Sequence, residues 1–442
     1  MTRPRLSMRV CHAGVMALMM MAAVSPLFGQ TERVPAADSK SAPASEPADT
    51  VVLKVGKLYE KPTKPLIDSI LVVRDGEVVD FGRDIDVPAG ARVIELPNAV
   101  ITAGLIDACI SAAAFQNYKG PENETECTPQ LRVLDSIDLR DESLRQLAES
   151  GVTAIHVTAE PVAVIGPRGA TLRTSGPIGA RTIKPADALK VTIGREPMYR
   201  RGWNRGPWGD VSFMTRRPTT RMGLIWTLRK SFHDASAAIR GESPGTHGDS
   251  SPSENALPLL ERALKGEIPI RIQARQQLDI LAALRVAKEF GFDFVLEEGT
   301  DAARCAAELK AAGVPVIYGP IFDYPTGFRA GSGEVNRARY STPAELVRSG
   351  ITLALTASDL SGEASLAMQA SYAMRFGLTR EQALAAVTTT PAKLLGIEDV
   401  AGEIGRNRPA DLVVWSGEPF ELTSRPVMVI VGGEIVLDRT AE

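Results

Sequence analysis

Residues 99–111 read AVITAGLIDACIS, and this stretch decides how the rest of the chain is interpreted. Its first eight residues are mostly apolar, which predicts a buried strand. Asp107, Cys109 and Ser111 follow at alternate positions. Because side chains alternate along a strand, we expect these three on one face. The sequence therefore predicts a buried strand that ends in a polar cluster.

The composition around this strand is that of an ordinary soluble globular protein. The chain has 442 residues, is 44% hydrophobic and carries a formal net charge of -3. This length predicts a large core and more than one domain. No strongly basic stripe is present, so nucleic acid is not expected as a partner.

The first 30 residues predict a secretory signal peptide. Three arginines, Arg3, Arg5 and Arg9, precede an apolar run over residues 13–24, and small residues follow it. The run is shorter than the ~20 residues that span a bilayer. We therefore expect a periplasmic or secreted protein with no integral membrane span after cleavage, although a retained anchor stays open. Residues 31–50 are rich in Ala, Pro, Ser and Glu and predict a flexible linker.

Residues 51–98 and 399–442 both have the pattern of short strands. Asp75-Gly76 and Gly432-Gly433 have the composition of tight hairpin turns. Neither block is large enough to bury a sheet face alone. We therefore expect the two ends of the chain to pair into one small β-sandwich.

Residues 99–398 repeat a pattern in which a helix closes on glycine and a short apolar strand follows. Such glycines suit the left-handed position after a helix. Strands alternating with helices predict a parallel sheet, and a run this long favours a closed eight-stranded barrel. The glycines are Gly151, Gly291, Gly313 and Gly350, and capping boxes are expected at Thr342 with Glu345 and at Thr379 with Gln382.

The first barrel strand, with residues 384–396 and 402–414, resembles the amidohydrolase superfamily. That family usually has Pro-Gly-Leu-Ile-Asp-x-His-x-His where residues 103–111 stand, and residues 217–223 are similar to its imidazolonepropionase-like members. The resemblance implies a (β/α)8 TIM-like barrel flanked by a β-sandwich from both termini. It also implies a hydrolase of non-peptide carbon–nitrogen bonds that uses zinc or another divalent metal.

The same resemblance implies that most metal ligands have been replaced. Family members carry two histidines on strand one, sometimes a lysine on strand four, one histidine each on strands five and six, and an aspartate on strand eight. Residues 268–274 and 294–300 are taken as strands five and six, and residues 191–201, taken as strand four, contain no lysine. Since catalytic zinc needs about three protein ligands, no metal cofactor is expected. The corresponding positions are Cys109, Ser111, Gln273, Glu298 and Asp359, of which only the aspartate is retained.

Two functions therefore stay open. One is a degenerate barrel that binds a small molecule or a partner, with Gln273, Arg275 and Glu298 at its mouth and Arg275 neutralising nearby carboxylates. The other is an active hydrolase of cyclic amide or related carbon–nitrogen bonds. It would use a non-standard site in which Cys109 is the nucleophile and His156 the base. The residues of that site are Cys109, His156, Glu298 and Asp359. Cys109, Glu298 and Asp359 could also bind a divalent ion, although a ligand set without imidazole is unusual.

Several smaller features are left open by the sequence. After signal cleavage three cysteines remain, Cys109, Cys127 and Cys305. The sequence is consistent either with a disulfide between Cys109 and Cys127 or with three buried free thiols. Residues 199–208 form a basic, aromatic loop that suits either a packed lid or the binding of an anionic ligand. Residues 241–255 are polar, and His233 is expected on a helix surface. A homo-oligomer stays open.

Overall fold

A computed structural model of the chain describes residues 50–122, 125–198, 218–242, 252–253, 255–321, 340–358 and 365–440. The signal peptide, almost all of the linker, Asp359, the loop 199–208 and most of residues 241–255 lie outside this part. Its strands are β1 (Thr50–Leu58), β2 (Leu66–Arg74), β3 (Glu77–Gly82), β4 (Arg92–Ala103), β5 (Leu105–Ser111), β6 (Val152–Thr158), β7 (Ala170–Arg173), β8 (Thr182–Lys184), β9 (Leu189–Thr192), β10 (Ile270–Ala274), β11 (Phe294–Glu298), β12 (Val316–Tyr318), β13 (Leu353–Leu355), β14 (Arg408–Pro409), β15 (Leu412–Trp415), β16 (Pro426–Val431) and β17 (Glu434–Asp438). Its α-helices are α1 (Glu142–Glu149), α2 (Arg221–Ile239), α3 (Leu257–Leu264), α4 (Gln277–Phe290), α5 (Ala306–Ala311), α6 (Thr342–Arg348), α7 (Leu366–Arg375), α8 (Arg380–Val387) and α9 (Thr389–Leu395).

The two ends of the described chain pair into one eight-stranded sheet. Its strand order is β14-β3-β2-β1-β4-β15-β16-β17. The antiparallel pairing of β4 with β15, which sets Ile101 opposite Val414, joins the N-terminal block to the C-terminal one. Both predicted hairpin turns are confirmed, since Asp75-Gly76 separates β2 from β3 and Gly432-Gly433 separates β16 from β17. The expected pairing of the ends is therefore present, as a single continuous sheet.

The stretch 99–111 belongs to two strands in two sheets. The break falls at Gly104, whose N–H donates to the carbonyl of Asp411 at 2.9 Å. A Cβ atom there would lie 2.1 Å from the Thr153 hydroxyl, so only glycine fits this crossing. Within β5 the pairing with β6 shifts between Asp107 and Ile110, as in a β-bulge. The prediction of one strand with three polar residues on one face is thus wrong, because the bulge interrupts the alternation.

A five-stranded parallel sheet, β13-β12-β11-β10-β9, forms one half of the central domain. Helices α4, α5 and α6 connect its strands in the expected alternation. Gly291 ends α4 in the left-handed conformation (φ 71°), as predicted. The capping box of Thr379 with Gln382 is confirmed. The box at Thr342 is wrong, because Ser341 is the residue that precedes α6.

The second half of this domain departs from the regular alternation of strands and helices. Strand β6 is followed by β7, which runs antiparallel to it. The segment before β7 runs antiparallel to β9, since Thr192 N–H donates to the Val164 carbonyl at 3.0 Å and Gly166 N–H to the Lys190 carbonyl at 2.9 Å. At the other edge, the Thr356 hydroxyl beyond β13 donates to the Asp107 carboxylate on β5 at 2.6 Å. The domain is therefore TIM-barrel-like, with an antiparallel segment where the sequence predicted a parallel strand.

Three further expectations can be compared with the described residues. No helix in them is long and apolar enough to cross a membrane. Cys109, Cys127 and Cys305 are all buried and all free, so no bridge joins Cys109 to Cys127. His233 lies on the surface of α2 with 69% of its side chain exposed, as predicted.

Candidate functional site

The side chains of β9, β10 and β11 divide between an apolar face and a polar face. Leu189, Ile270, Ile272, Phe294 and Leu296 belong to the large apolar core. Their neighbours in sequence point the other way, because side chains alternate along a strand. The parallel register places these neighbours side by side, and all are at least nine-tenths buried except Val295: Lys190, Thr192, Arg271, Gln273, Val295 and Glu297.

Glu297 lies at the centre of this polar face between two cations. Its carboxylate accepts a hydrogen bond from the Lys190 ammonium, and its Oε1 lies 2.5 Å from the Arg271 Nε. The three side chains are between 0% and 5% exposed. Burial alone would raise the pKa of Glu297, but Lys190 and Arg271 outweigh it and lower the pKa to about 2. We call these three residues the inner ion cluster.

His156 and Asp187 form a second polar group beside the inner ion cluster. The His156 Nδ1 lies 3.3 Å from Asp187 Oδ1 and 3.3 Å from the Thr171 hydroxyl, which itself donates to Asp187. Burial lowers the pKa of His156, and nearby Arg271 lowers it further. Burial opposes ionisation of Asp187, but His156, Thr171 and Arg271 overcome it and lower its pKa to about 2.

Arg275 holds two carboxylates at the carboxyl end of β10. Its guanidinium donates to Glu298 through Nε and, at 3.1 Å, through Nη2. Its Nη1 donates to Glu196. Burial would lower the pKa of Arg275, but the two carboxylates outweigh it and raise the pKa. Arg275 therefore neutralises the carboxylate of Glu298, as expected. The backbone of Glu298 is in the left-handed region, with a φ of 65°.

Cys109 is packed among apolar side chains and backbone groups. Its thiol is 3% exposed, in a cluster with Ile106, Ala154 and Ile317. Burial raises the pKa of this thiol, and the Glu297 charge raises it further, so it is not a thiolate. The Nδ1 atom of His156 contacts Thr171 and Asp187 instead. Ser111 stands at the second histidine position of strand one. It caps the short 3-10 helix Ala112–Ala114, because its hydroxyl accepts a hydrogen bond from the Ala113 N–H at 3.3 Å. This geometry does not favour the Cys109–His156 nucleophile–base pair.

Three buried polar atoms near the carboxyl ends of these strands have no hydrogen-bond partner among the residues that the structure describes. They are Gln273 Nε2, Thr192 Oγ1 and Glu196 Oε2. Gln273 and Thr192 are direct register partners on β10 and β9. An unpaired buried polar group is destabilising by about 1–3 kcal/mol, so such groups normally meet water or a ligand. These three atoms are therefore candidates for contacts with water or a bound molecule.

Sequence reasoning missed most of the inner ion cluster. Strand four was placed at residues 191–201, whereas β9 begins at Leu189 and includes Lys190. Glu297 is not indicated by the family pattern, because the histidine position on strand six corresponds to its neighbour Glu298. A usable signal was present in the strands themselves, since Leu-Lys-Val-Thr and Ile-Arg-Ile-Gln both alternate apolar with polar residues.

The residues present do not fit the metal that the family resemblance implies. Two cations, Lys190 and Arg271, lie on the inner face and would repel a divalent ion. Arg275 already holds the Glu298 carboxylate, and the Cys109 thiol is protonated. In the parts of the chain that the structure describes, no group of three or more His, Cys, Asp or Glu side chains could hold a metal ion. Asp359, the retained aspartate, lies outside those parts.

Comparisons with known proteins agree with this architecture. The model of the "Amidohydrolase family" matches residues 276–437. An amidohydrolase, tasK, of Hapsidospora irregularis is 22% identical over 381 residues, which is 80% of this chain and 38% of that protein. Imidazolonepropionase of Salmonella paratyphi A is 23% identical over 413 residues, 86% of this chain and 95% of that enzyme. The crystal structure of an amidohydrolase from Thermotoga maritima MSB8 matches with a TM-score of 0.75 and 26% identity, covering 88% of this chain and all of that one.

These matches place the protein in a class of TIM-barrel-like proteins with an attached β-rich part. Residues 276–437 match the amidohydrolase family, and most of the chain is similar in sequence and fold to amidohydrolases. The match spans little more than a third of the length of the Hapsidospora irregularis amidohydrolase but nearly the whole length of the imidazolonepropionase.

Proposed function

We propose that this protein is an amidohydrolase-superfamily member that works without a catalytic metal and binds a small polar molecule at the carboxyl ends of its barrel strands. The observation that carries the proposal is the inner ion cluster. Lys190 and Arg271 supply the positive charge that a metal would supply, and Glu297 is their counter-ion. Zinc needs neutral imidazoles or anionic ligands, not ammonium and guanidinium groups.

The proposal includes a closed barrel. The antiparallel segment at residues 163–169, which leads from β6 to β7, is hydrogen-bonded to β9. The hydrogen bond between Asp107 on β5 and Thr356, just after β13, connects the other edges of the two sheets. These links support a ring in which the parallel sheet β9–β13 and the four-stranded sheet β5-β6-β7-β8 enclose the inner ion cluster. The proposal also includes export, supported by the N-terminal arginines and apolar run, so that the protein acts in the periplasm or outside the cell.

The ligand is expected to carry a carbonyl group. Gln273 Nε2 is a buried donor that has no partner in the described part of the chain, and Thr192 is its register partner on β9. The carbonyl oxygen of a cyclic amide or urea can accept a hydrogen bond from this donor. This class of molecule also matches the carbon–nitrogen chemistry of the superfamily.

A ligand screen with matched variants tests the proposal. The wild type should be stabilised against heat by some cyclic amides or ureas, and the substitution Gln273→Leu should abolish that effect. Ser69→Ala is the control, because Ser69 Oγ on β2 is equally buried and unpaired but lies in the other sheet. Hydrolysis of such a compound that depends on added zinc or manganese and is lost in Asp359→Ala would contradict the proposal.

A further inference from the structure

A cavity of about 430 Å³ lies at the opposite end of the parallel sheet from the candidate site. It is formed below the amino ends of β9 and β10 and beside the last turn of α9. Its apolar walls include Pro185, Pro269 and Leu394. Functional sites of barrels lie at the carboxyl ends of strands, so this cavity is separate from the proposed mouth site.

The charged groups that line this cavity are mostly basic. There are four cations against two carboxylates: Arg168, Lys184, Arg262 and Arg271 against Asp187 and Glu267. Both carboxylates are already engaged. Glu267 pairs with Arg262 at 3.0 Å, and Asp187 faces Thr171 and His156.

Arg168 and Lys184 are the cations without a carboxylate among the residues that the structure places. Arg168 Nε donates to the Pro129 carbonyl at 2.9 Å, and Lys184 Nζ donates to the Leu395 carbonyl at 2.6 Å. Burial lowers the pKa of Arg168, and the like charges of Arg132 and Arg262 lower it further. The cavity therefore concentrates positive charge that the protein itself does not neutralise.

We propose that this cavity binds a small multivalent oxyanion, namely a phosphate group that is either free or carried by a small organic molecule. Guanidinium groups donate two parallel hydrogen bonds to phosphate oxygens, which suits Arg168 and Arg262. The volume exceeds that of a phosphate ion alone, and the proline and leucine walls suit an organic part. Binding would relieve the repulsion between the arginines and so stabilise the folded protein.

Thermal unfolding of the full chain in phosphate tests this inference. Inorganic phosphate at pH 7.5 should raise the melting temperature relative to sodium chloride of equal ionic strength. At a hundredfold excess over Kd the rise should be roughly 3 °C for a folded part of this length. Glycerol phosphate, with glycerol as its control, distinguishes the two sources: equal affinity indicates free phosphate, and tighter binding of the ester indicates a phosphorylated molecule.

Two arginines with similar surroundings provide the matched variants. Arg262 pairs with Glu267 and Arg229 pairs with Glu289, both as exposed Nε–carboxylate pairs, but only Arg262 lines the cavity. Arg262→Gln should weaken phosphate binding roughly tenfold or more, as expected for a charged hydrogen bond, while Arg229→Gln should leave it unchanged. Arg168→Gln should also weaken it. The inference is overturned if phosphate acts no better than chloride, or if Arg262→Gln and Arg229→Gln have equal effects.

Discussion

The inner ion cluster predicts a large and specific effect of removing one charge. In Glu297→Gln, two buried cations, Lys190 and Arg271, lose their shared counter-ion while the side-chain shape is kept. Glu297 is fully buried, so water cannot replace the lost interaction. The folded protein should therefore be strongly destabilised but still resemble the wild type in shape.

The size of the effect follows from two independent estimates. Lowering the pKa of Glu297 from 4.5 to about 2 corresponds to about 3 kcal/mol in favour of its charged form. Breaking a buried ion pair by removing one partner typically destabilises a protein by about 3–5 kcal/mol. With an unfolding entropy near 2.1 cal/mol/K for each folded residue, the melting temperature should fall by roughly 4–6 °C.

The sign of the pH dependence is also fixed. Because the folded-state pKa of Glu297 is lowered, its stabilisation is complete above about pH 4.5 and is lost as the pH falls toward 2. Denaturant unfolding of wild type and Glu297→Gln should therefore show the full difference at pH 7 and a shrinking difference below pH 4.5. The triple variant Lys190→Met, Arg271→Met, Glu297→Leu should recover much of the loss, because apolar groups of similar volume often replace buried ion clusters without destabilisation.

Glu95→Gln is the control for this experiment. Glu95 pairs with Lys54 at 2.8 Å, but its side chain is 66% exposed, so its removal should leave the melting temperature unchanged. If Glu297→Gln unfolds at the same temperature as Glu95→Gln, or if the difference from the wild type does not change with pH, the reasoning about a buried counter-ion is refuted.

Three further predictions concern other buried positions. Gly169→Ala should lower the free energy of unfolding by about 1–3 kcal/mol, since the new Cβ would lie 2.4 Å from His156 Nε2, whereas Gly179→Ala, in open space, should be neutral; equal denaturation midpoints would contradict this. The unfolding free energy should fall as the pH drops below about 6.5, because the lowered pKa of His156 in the folded state makes the unfolded chain bind the proton more readily. His156→Gln should flatten this pH dependence, while His233→Gln, on the surface, should leave it unchanged. Cys109, Cys127 and Cys305 should resist iodoacetamide at pH 8 until the protein is unfolded, because burial raises the pKa of each thiol, that of Cys127 to about 12; rapid labelling of folded Cys109, read by mass spectrometry, would show a reactive thiol.

The fold could be predicted from the sequence where local patterns carry the information. Hairpin turns such as Asp75-Gly76 and the glycine after α4 depend on backbone conformations that few other residues adopt. The break at Gly104 could not be seen, because an apolar run does not reveal that two sheets share it. The antiparallel direction of the segment before β7 could not be predicted either, because long-range pairing decides the direction of a strand.

The candidate site was predicted only where a residue stands at a position that the family uses. Arg275, just after β10, does pair with Glu298 at the end of β11, and Gln273 lies on β10. Lys190 and Glu297 were missed, because their importance comes from the register that sets β9, β10 and β11 side by side. Asp187 lies just before β9 and comes close to His156 only in three dimensions.

The metal content of the purified protein tests the central claim most directly. The chain should be expressed without an affinity metal, dialysed without chelators and measured by elemental analysis together with its protein concentration. Since Lys190, Arg271 and Arg275 occupy the inner face and its mouth, far less than one equivalent of zinc, iron or manganese per chain is expected. One equivalent of any of these metals that survives dialysis would contradict the claim that buried cations have replaced the metal.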